Sequence, residues 1–127
     1  MRLLLDTHIW LWWLEDSKAL KPLPRQLIES NESEVYVSVI SLWEAVVKAG
    51  TGKLTLTADL ESASTDSDIR LLPMMPRDAL AVGKLPLHHR DPFDRALVAQ
   101  AHVGGLRLIT ADIHLMSYQN FADIQLV

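Results

Sequence analysis

Apolar residues in this chain fall either into short runs, of which the leucines at 3–5 are uninterrupted, or into stripes with helical spacing. The runs have strand length, and the run at 34–38 is rich in β-branched and aromatic residues. Stripes bounded by capping residues, prolines and glycines predict the helices between them. The predicted strands are residues 3–5, 34–38, 69–72, 106–109 and 124–127. The predicted helices are residues 8–15, 20–30, 41–49, 57–67, 77–82, 92–103 and 111–116.

The order of these elements predicts the fold class. Strands that alternate with helices are typical of a parallel sheet covered by helices on both faces. We therefore expect an α/β protein, a three-layer α/β/α sandwich with a mostly parallel sheet of five strands. A chain of 127 residues can close one such core, so residues 1–127 are predicted to form a single domain. The helix at 57–67 has the thinnest apolar stripe, formed by Leu60 and Ala63.

Composition narrows the chemistry that the chain can carry. The absence of cysteine excludes disulfides, thiolate nucleophiles and cysteine-based zinc sites, so oxygen or imidazole must hold any metal. The net charge of −4 argues against a general polyanion binder, although a cation-binding acid cluster would itself contribute to that charge. No apolar run is long enough to span a bilayer. We expect a soluble, cytoplasmic protein with no membrane association.

Four acidic residues follow strands or stand at helix starts, and they are Asp6, Glu44, Asp94 and Asp112. Each could serve its own helix, which is the commoner use of one such acid. Ser41 and Glu44 have the spacing of a capping box. Asp91 precedes Pro92, which suits a cap followed by proline at the first helical position.

Taken together, the four acids favour a second interpretation. Parallel strands bring their carboxyl ends, and the helix starts that follow, to one edge of the sheet. Carboxylates about 4 Å apart repel one another by several kcal/mol at an effective dielectric near 20, so such a cluster indicates a bound cation. Oxygen ligands suit Mg²⁺ or Mn²⁺. Hydrolysis of phosphodiester bonds is the chemistry that such ions typically support.

Four segments carry a resemblance to a known family. LLLDTH at 3–8, SVISLWE at 38–44, HRDPFDRALVAQA at 89–101 and LITAD at 108–112 resemble the signature blocks of PIN-domain proteins, most closely VapC-like ribonuclease toxins. The resemblance implies a metal-dependent endoribonuclease that cleaves RNA, forms a homodimer and is neutralised by a cognate antitoxin. The sequence departs from the family pattern in the polar segment 61–68, where similar proteins have a more apolar helix.

By matching position, the resemblance makes Asp6, Glu44, Asp94 and Asp112 the catalytic and metal-binding acids. It gives Thr7 and Thr110 supporting roles as hydroxyl partners. For Asp91 we favour the helix cap over metal ligation, because Pro92 follows it. Arg95 could orient an acid, contact a substrate phosphate or form an ordinary ion pair.

Other readings stay open. A PIN-like module without turnover, which binds RNA or protein, would keep the acids. A phospho-acceptor signalling domain would need a lysine after the last interior strand, and residues 110–116 contain none. Zinc is not favoured, because no histidine pair has the HExxH spacing, and His89 is expected in a solvated loop. Trp12 or Trp13 must face outward on a short helix, which suggests a subunit or antitoxin surface.

Overall fold

The structure is a computed structural model that describes residues 1–56, 58–65 and 68–127. Its strands are β1 (Arg2–Leu5), β2 (Glu34–Ser38), β3 (Arg70–Leu72), β4 (Arg107–Thr110) and β5 (Asp123–Leu126). Its α-helices are α1 (Thr7–Leu14), α2 (Pro22–Glu29), α3 (Val39–Gly50), α4 (Leu60–Ser64), α5 (Pro76–Val82) and α6 (Pro92–Gly104). A 3₁₀ helix spans Ile113–Tyr118.

The five strands form one sheet in the order β3-β2-β1-β4-β5, and every neighbouring pair is parallel. The predicted α/β fold with a five-stranded sheet is therefore confirmed. The central strand β1 pairs Leu5 with Val37 of β2 and with Ile109 of β4. This register aligns the three strand ends at one edge of the sheet.

Alternate residues of β1 enter two separate cores. Leu4 packs on one face, in a cluster that includes Leu97 of α6 and Tyr118 of the 3₁₀ helix. Leu3 and Leu5 pack on the other face, in a cluster that includes α1 and α2 side chains. Because successive strand residues point to opposite faces, the uninterrupted leucines of β1 require cover on both sides.

Three predicted helices differ clearly from those observed. Helix α3 begins at Val39 rather than at residue 41, because the Ser38 side chain accepts a hydrogen bond from the Ile40 backbone N–H and caps the helix earlier. The predicted helix at 57–67 is reduced to α4, where Leu60 and Ala63 do pack against the core. Positions 57, 66 and 67 of that prediction lie outside the described residues.

The last helix also differs in its bounds. A short helix is predicted at residues 111–116, and the structure has a 3₁₀ helix two residues later, at Ile113–Tyr118. Helix α6 ends as its glycines predict, with Gly105 in the left-handed conformation at φ 62°. Within the described part of the chain, no helix has the length and apolar character needed to cross a membrane.

Candidate active site

The carboxyl edge of the sheet brings three polar residues side by side. Asp6, Ser38 and Thr110 each follow the aligned residues Leu5, Val37 and Ile109. All three are buried, and the Asp6 backbone N–H donates to the Ile109 carbonyl at 2.9 Å. The end of the central strand therefore places a carboxylate between two hydroxyl groups.

A chain of hydrogen bonds joins three of the four predicted acids. Thr7 Oγ1 donates to Glu44 Oε1 at 2.6 Å, and the Thr7 backbone N–H donates to Asp6 Oδ1 at 2.7 Å. Thr110 Oγ1 donates to Asp6 Oδ2 at 2.7 Å and accepts from the Asp112 backbone N–H at 3.0 Å. Thr7 and Thr110 thus tie the acids of three different elements into one network.

The alternative interpretation of Ser41 and Glu44 as a capping box is wrong. Ser41 lies buried inside α3, and the cap is Ser38. The Glu44 carboxylate is 2% exposed and contacts Thr7 and Lys48 instead of its own helix start. The Glu44–Lys48 ion pair has the i,i+4 spacing of a helix face, a signal that the sequence contained.

Asp91 and Asp94 have different partners although both start α6. Asp91 Oδ1 accepts from the backbone N–H groups of Phe93 at 2.9 Å and Asp94 at 3.3 Å, so the cap predicted for Asp91 is confirmed. Asp94 faces the acid cluster, where its Oδ2 lies 3.0 Å from His89 Nε2.

The acids disturb one another electrostatically. Burial of the Asp94 carboxyl, followed by repulsion from four other carboxylates, raises its pKa to about 8. In order of effect, those carboxylates belong to Asp6, Asp91, Glu44 and Asp112. Burial also raises the pKa of Asp6, against the lowering effect of its hydrogen bond from Thr110. Asp6, Glu44 and Asp112 are therefore close enough to Asp94 to oppose its ionisation.

His89 is not the solvated loop residue that was predicted. Its side chain is 27% exposed and contacts Asp94, and His89, Asp94 and Asp112 can each offer one ligand atom within 4.8 Å of the others. No local spacing indicated this contact, because His89 approaches through a loop rather than along a helix face.

Arg95 forms hydrogen bonds that fix the loop carrying His89. Its guanidinium donates to the carbonyls of Pro86 and Val82 and to the Tyr118 hydroxyl, each at 3.0 Å. Among the described residues its partners are carbonyl and hydroxyl oxygens, and none is a site carboxylate. Of the three roles considered for Arg95, the structure shows none directly; the side chain ties the loop to α6 and to the 3₁₀ helix.

We expect Arg95→Met to destabilise the fold by roughly 2–4 kcal/mol, because it leaves several carbonyls without their charged donor. Urea unfolding monitored by tryptophan fluorescence would measure the loss. Arg77→Met is the matched control, since Arg77 is exposed and its replacement should change stability by less than about 0.5 kcal/mol. Equal stabilities of the two variants would contradict the role of Arg95.

The donor set fits a divalent cation. One ligand atom each from His89, Asp94 and Asp112 lies within 4.8 Å of the others. The carboxylates of Asp6 and Glu44 are near enough to this group to help raise the pKa of Asp94. Lys48 forms an ion pair with Glu44 and also interacts electrostatically with Asp91 and Asp94. Oxygen-rich sites of this kind suit Mg²⁺ or Mn²⁺.

Exposed aromatic surface lies beside the acids. Trp43, next to Glu44 in the chain, is 58% exposed and meets Phe93 edge to face at 5.2 Å. Trp12 and Trp13 are only partly buried, as the short helix required, whereas Trp10 is fully buried. The most exposed tryptophan is thus on α3 and not on α1.

Comparison with known proteins agrees with this geometry. The sequence profile of the PIN domain matches residues 3–119. The chain is 30% identical over 120 residues to Ribonuclease VapC22 of Mycobacterium tuberculosis, with 92% of each protein covered. The chain belongs to the PIN-domain family, and the predicted resemblance to VapC-like members is confirmed.

Solved structures show the same fold. DNA-bound VapBC from Salmonella typhimurium contains a chain that matches with a TM-score of 0.69 and 16% identity, covering 98% of this chain and 97% of that one. VapBC-5 from Mycobacterium tuberculosis gives a TM-score of 0.62 and 24% identity, with 99% and 97% covered. These similarities extend over the full sheet and its helices.

Proposed function

We propose that this protein is a metal-dependent endoribonuclease, the toxin of a toxin–antitoxin pair. The observation that carries the proposal is the hydrogen-bonded network from Glu44 through Asp6 to Asp112, with Asp94 at the same edge, in a chain homologous to a ribonuclease. The catalytic acids are Asp6, Glu44, Asp94 and Asp112.

These acids would hold one or more Mg²⁺ or Mn²⁺ ions. When bound, such an ion lowers the pKa of an attacking water and offsets charge on the phosphate. Thr7 and Thr110 fix the carboxylate of Asp6 from both sides, so its oxygens need little reorganisation to bind a cation. Asp91 contributes by starting α6 at the position that directs Asp94 inward.

The surroundings suit an RNA backbone. A pocket of about 240 Å³ beside Glu44 is lined in part by Lys48, Lys53 and His8. Lys48 and Lys53 carry positive charges beside Glu44. Such side chains can bind the RNA phosphates on either side of the scissile bond. Electrostatic attraction to RNA is therefore local, despite the net charge of −4.

We also propose two protein partners and a location. The VapBC complexes among the structural relatives support a cognate antitoxin as one partner. Trp43, Val46 and Val47 form an exposed apolar stripe at i, i+3 and i+4 on α3, which favours a second copy as the other. A cysteine-free sequence fits the cytoplasm.

The test compares RNA cleavage by the wild type and by Asp6→Asn. We expect cleavage of a structured RNA to require Mg²⁺ or Mn²⁺, to stop in EDTA and to fall at least about a hundredfold in Asp6→Asn, which loses a central ligand. Asp123→Asn is the control. Asp123 is an exposed acid that pairs with Arg107 at the opposite edge of the sheet, and its replacement should leave cleavage unchanged.

Cleavage by Asp6→Asn at the wild-type rate would refute the assignment of the acids. Metal binding by the wild type without any product would favour the PIN-like module that lacks turnover. Toxicity on expression that is relieved by a small protein encoded next to this gene would support the toxin role.

A further inference from the structure

The imidazole of His89 lies where a metal ligand would be needed. Its Nε2 is 3.0 Å from Asp94 Oδ2, and one ligand atom each from His89, Asp94 and Asp112 falls within a span of 4.8 Å. Neighbouring ligands on an octahedral ion with bonds of about 2.1 Å lie about 3 Å apart, so the observed separation suits two ligands of one ion.

Hydrogen bonds fix both the N–H and the carbonyl of the His89 backbone. Its N–H donates to the Tyr118 hydroxyl at 3.0 Å, and its carbonyl accepts from that hydroxyl at 3.3 Å and from Arg95 Nη1 at 3.5 Å. Tyr118 is fully buried. A surface loop residue would not need such anchoring, whereas a ligand gains from it, because less motion is lost on binding.

The carboxylates on either side have oxygens available. Asp112 Oδ1 accepts from the His114 backbone N–H at 2.9 Å, and its backbone is fixed by Thr110. Within the described residues, Asp112 Oδ2 and Asp94 Oδ1 have no hydrogen-bond partner from the protein. The His89 ring therefore lies next to two partly free carboxylates. His89 also lines a separate pocket together with His88 and His114.

We propose that His89 is a direct metal ligand, which with Asp94 and Asp112 gives the site a mixed nitrogen and oxygen coordination. The inference rests on the proposed metal-dependent function and adds a ligand to its four acids. An imidazole ligand favours Mn²⁺ over Mg²⁺, because Mg²⁺ binds oxygen almost exclusively. The protein should therefore prefer Mn²⁺ more strongly than a site built of carboxylates alone.

The test uses Mn²⁺ and Mg²⁺ alone, added to the full chain without RNA. In electron spin-echo spectroscopy the wild-type Mn²⁺ complex should show coupling to an imidazole nitrogen, which His89→Gln removes. Calorimetry should show Mn²⁺ affinity reduced at least about tenfold in His89→Gln and Mg²⁺ affinity reduced by less than about threefold. His88→Gln is the matched control, since His88 is exposed and its ring packs against Tyr118 instead of the acids.

Several results would overturn the inference. One is a wild-type Mn²⁺ complex without nitrogen coupling, and another is a coupling that survives in His89→Gln. Equal loss of Mn²⁺ and Mg²⁺ affinity without nitrogen coupling would make His89 only a positioning residue for Asp94. Asp94→Asn distinguishes these results from a failure of the acid site. If Asp94→Asn loses Mn²⁺ binding, the proposed metal-dependent function stands even when His89 is not a ligand. If its Mn²⁺ binding is unchanged, both the proposed function and the role of His89 are contradicted.

Discussion

Asp94→Asn is expected to abolish RNA cleavage and, without metal, to make the folded protein more stable. In the wild type the partly buried Asp94 carboxyl has a pKa of about 8, because desolvation and the surrounding carboxylates oppose its ionisation. Unfolding removes that opposition, so the group favours the unfolded state near neutral pH. A neutral asparagine of the same shape should raise the free energy of unfolding by an amount on the order of a few kcal/mol.

Asp78 provides a matched control for Asp94. Asp78 occupies the third position of α5, as Asp94 does in α6, and each helix has proline at its first position. Asp78 Oδ2 accepts from the Met75 backbone N–H at 2.8 Å, which is an ordinary capping contact. Asp78→Asn should therefore lower stability by about 1 kcal/mol and leave RNA cleavage unchanged.

Chemical denaturation in EDTA, together with a cleavage assay in Mg²⁺, measures both effects. Opposite changes in stability for the two variants would identify Asp94 as a residue kept for function at a cost in stability. If Asp94→Asn were destabilised as Asp78→Asn is, Asp94 would be only a helix-start acid. A stabilised Asp94→Asn variant that still cleaves RNA at the wild-type rate would contradict the catalytic role.

The metal-free protein is expected to lose stability as the pH rises from about 4 to about 8. Over this range the folded state keeps a proton on Asp94 that the unfolded chain, with its ordinary pKa of 3.8, has released. A state that holds more protons is disfavoured as protons become scarce, so the free energy of unfolding falls. The raised pKa of Asp6 acts in the same direction. One full proton corresponds to a slope of about 1.4 kcal/mol per pH unit.

Mg²⁺ should reverse this trend. A divalent cation binds the ionised acids, so the stabilisation that it gives should grow with pH until Asp94 is fully ionised. Urea unfolding at pH 5, 6, 7 and 8, with EDTA and with Mg²⁺, provides the measurement. Asp94→Asn is the control, and its metal-free curve should be flatter than that of the wild type. Parallel curves for the two proteins would show that Asp94 does not carry the pH dependence.

Much of the fold follows from local patterns. No polar residue interrupts the leucines of β1, so both faces of this strand must be covered. The helices that alternate with the strands predict parallel pairing of those strands. Because parallel strands share one carboxyl edge, the convergence of Asp6 and Asp112 could be predicted before any coordinates. The cap at Asp91 was equally local, since proline at the next position fixes the helix start.

The sequence by itself thus determined the sheet, its helices and the edge at which the acids meet. Only the tertiary structure decided which partner each polar group has. Glu44 matched a capping box, yet a threonine from α1 and a lysine one turn on hold its carboxylate. His89 and Arg95 likewise have a partner from an element distant in the chain, because both donate to the Tyr118 hydroxyl of the 3₁₀ helix. Local spacing in the sequence reveals helix faces and helix caps. Which of several possible partners a polar side chain contacts depends on distances between elements, and those distances are set only when the chain folds.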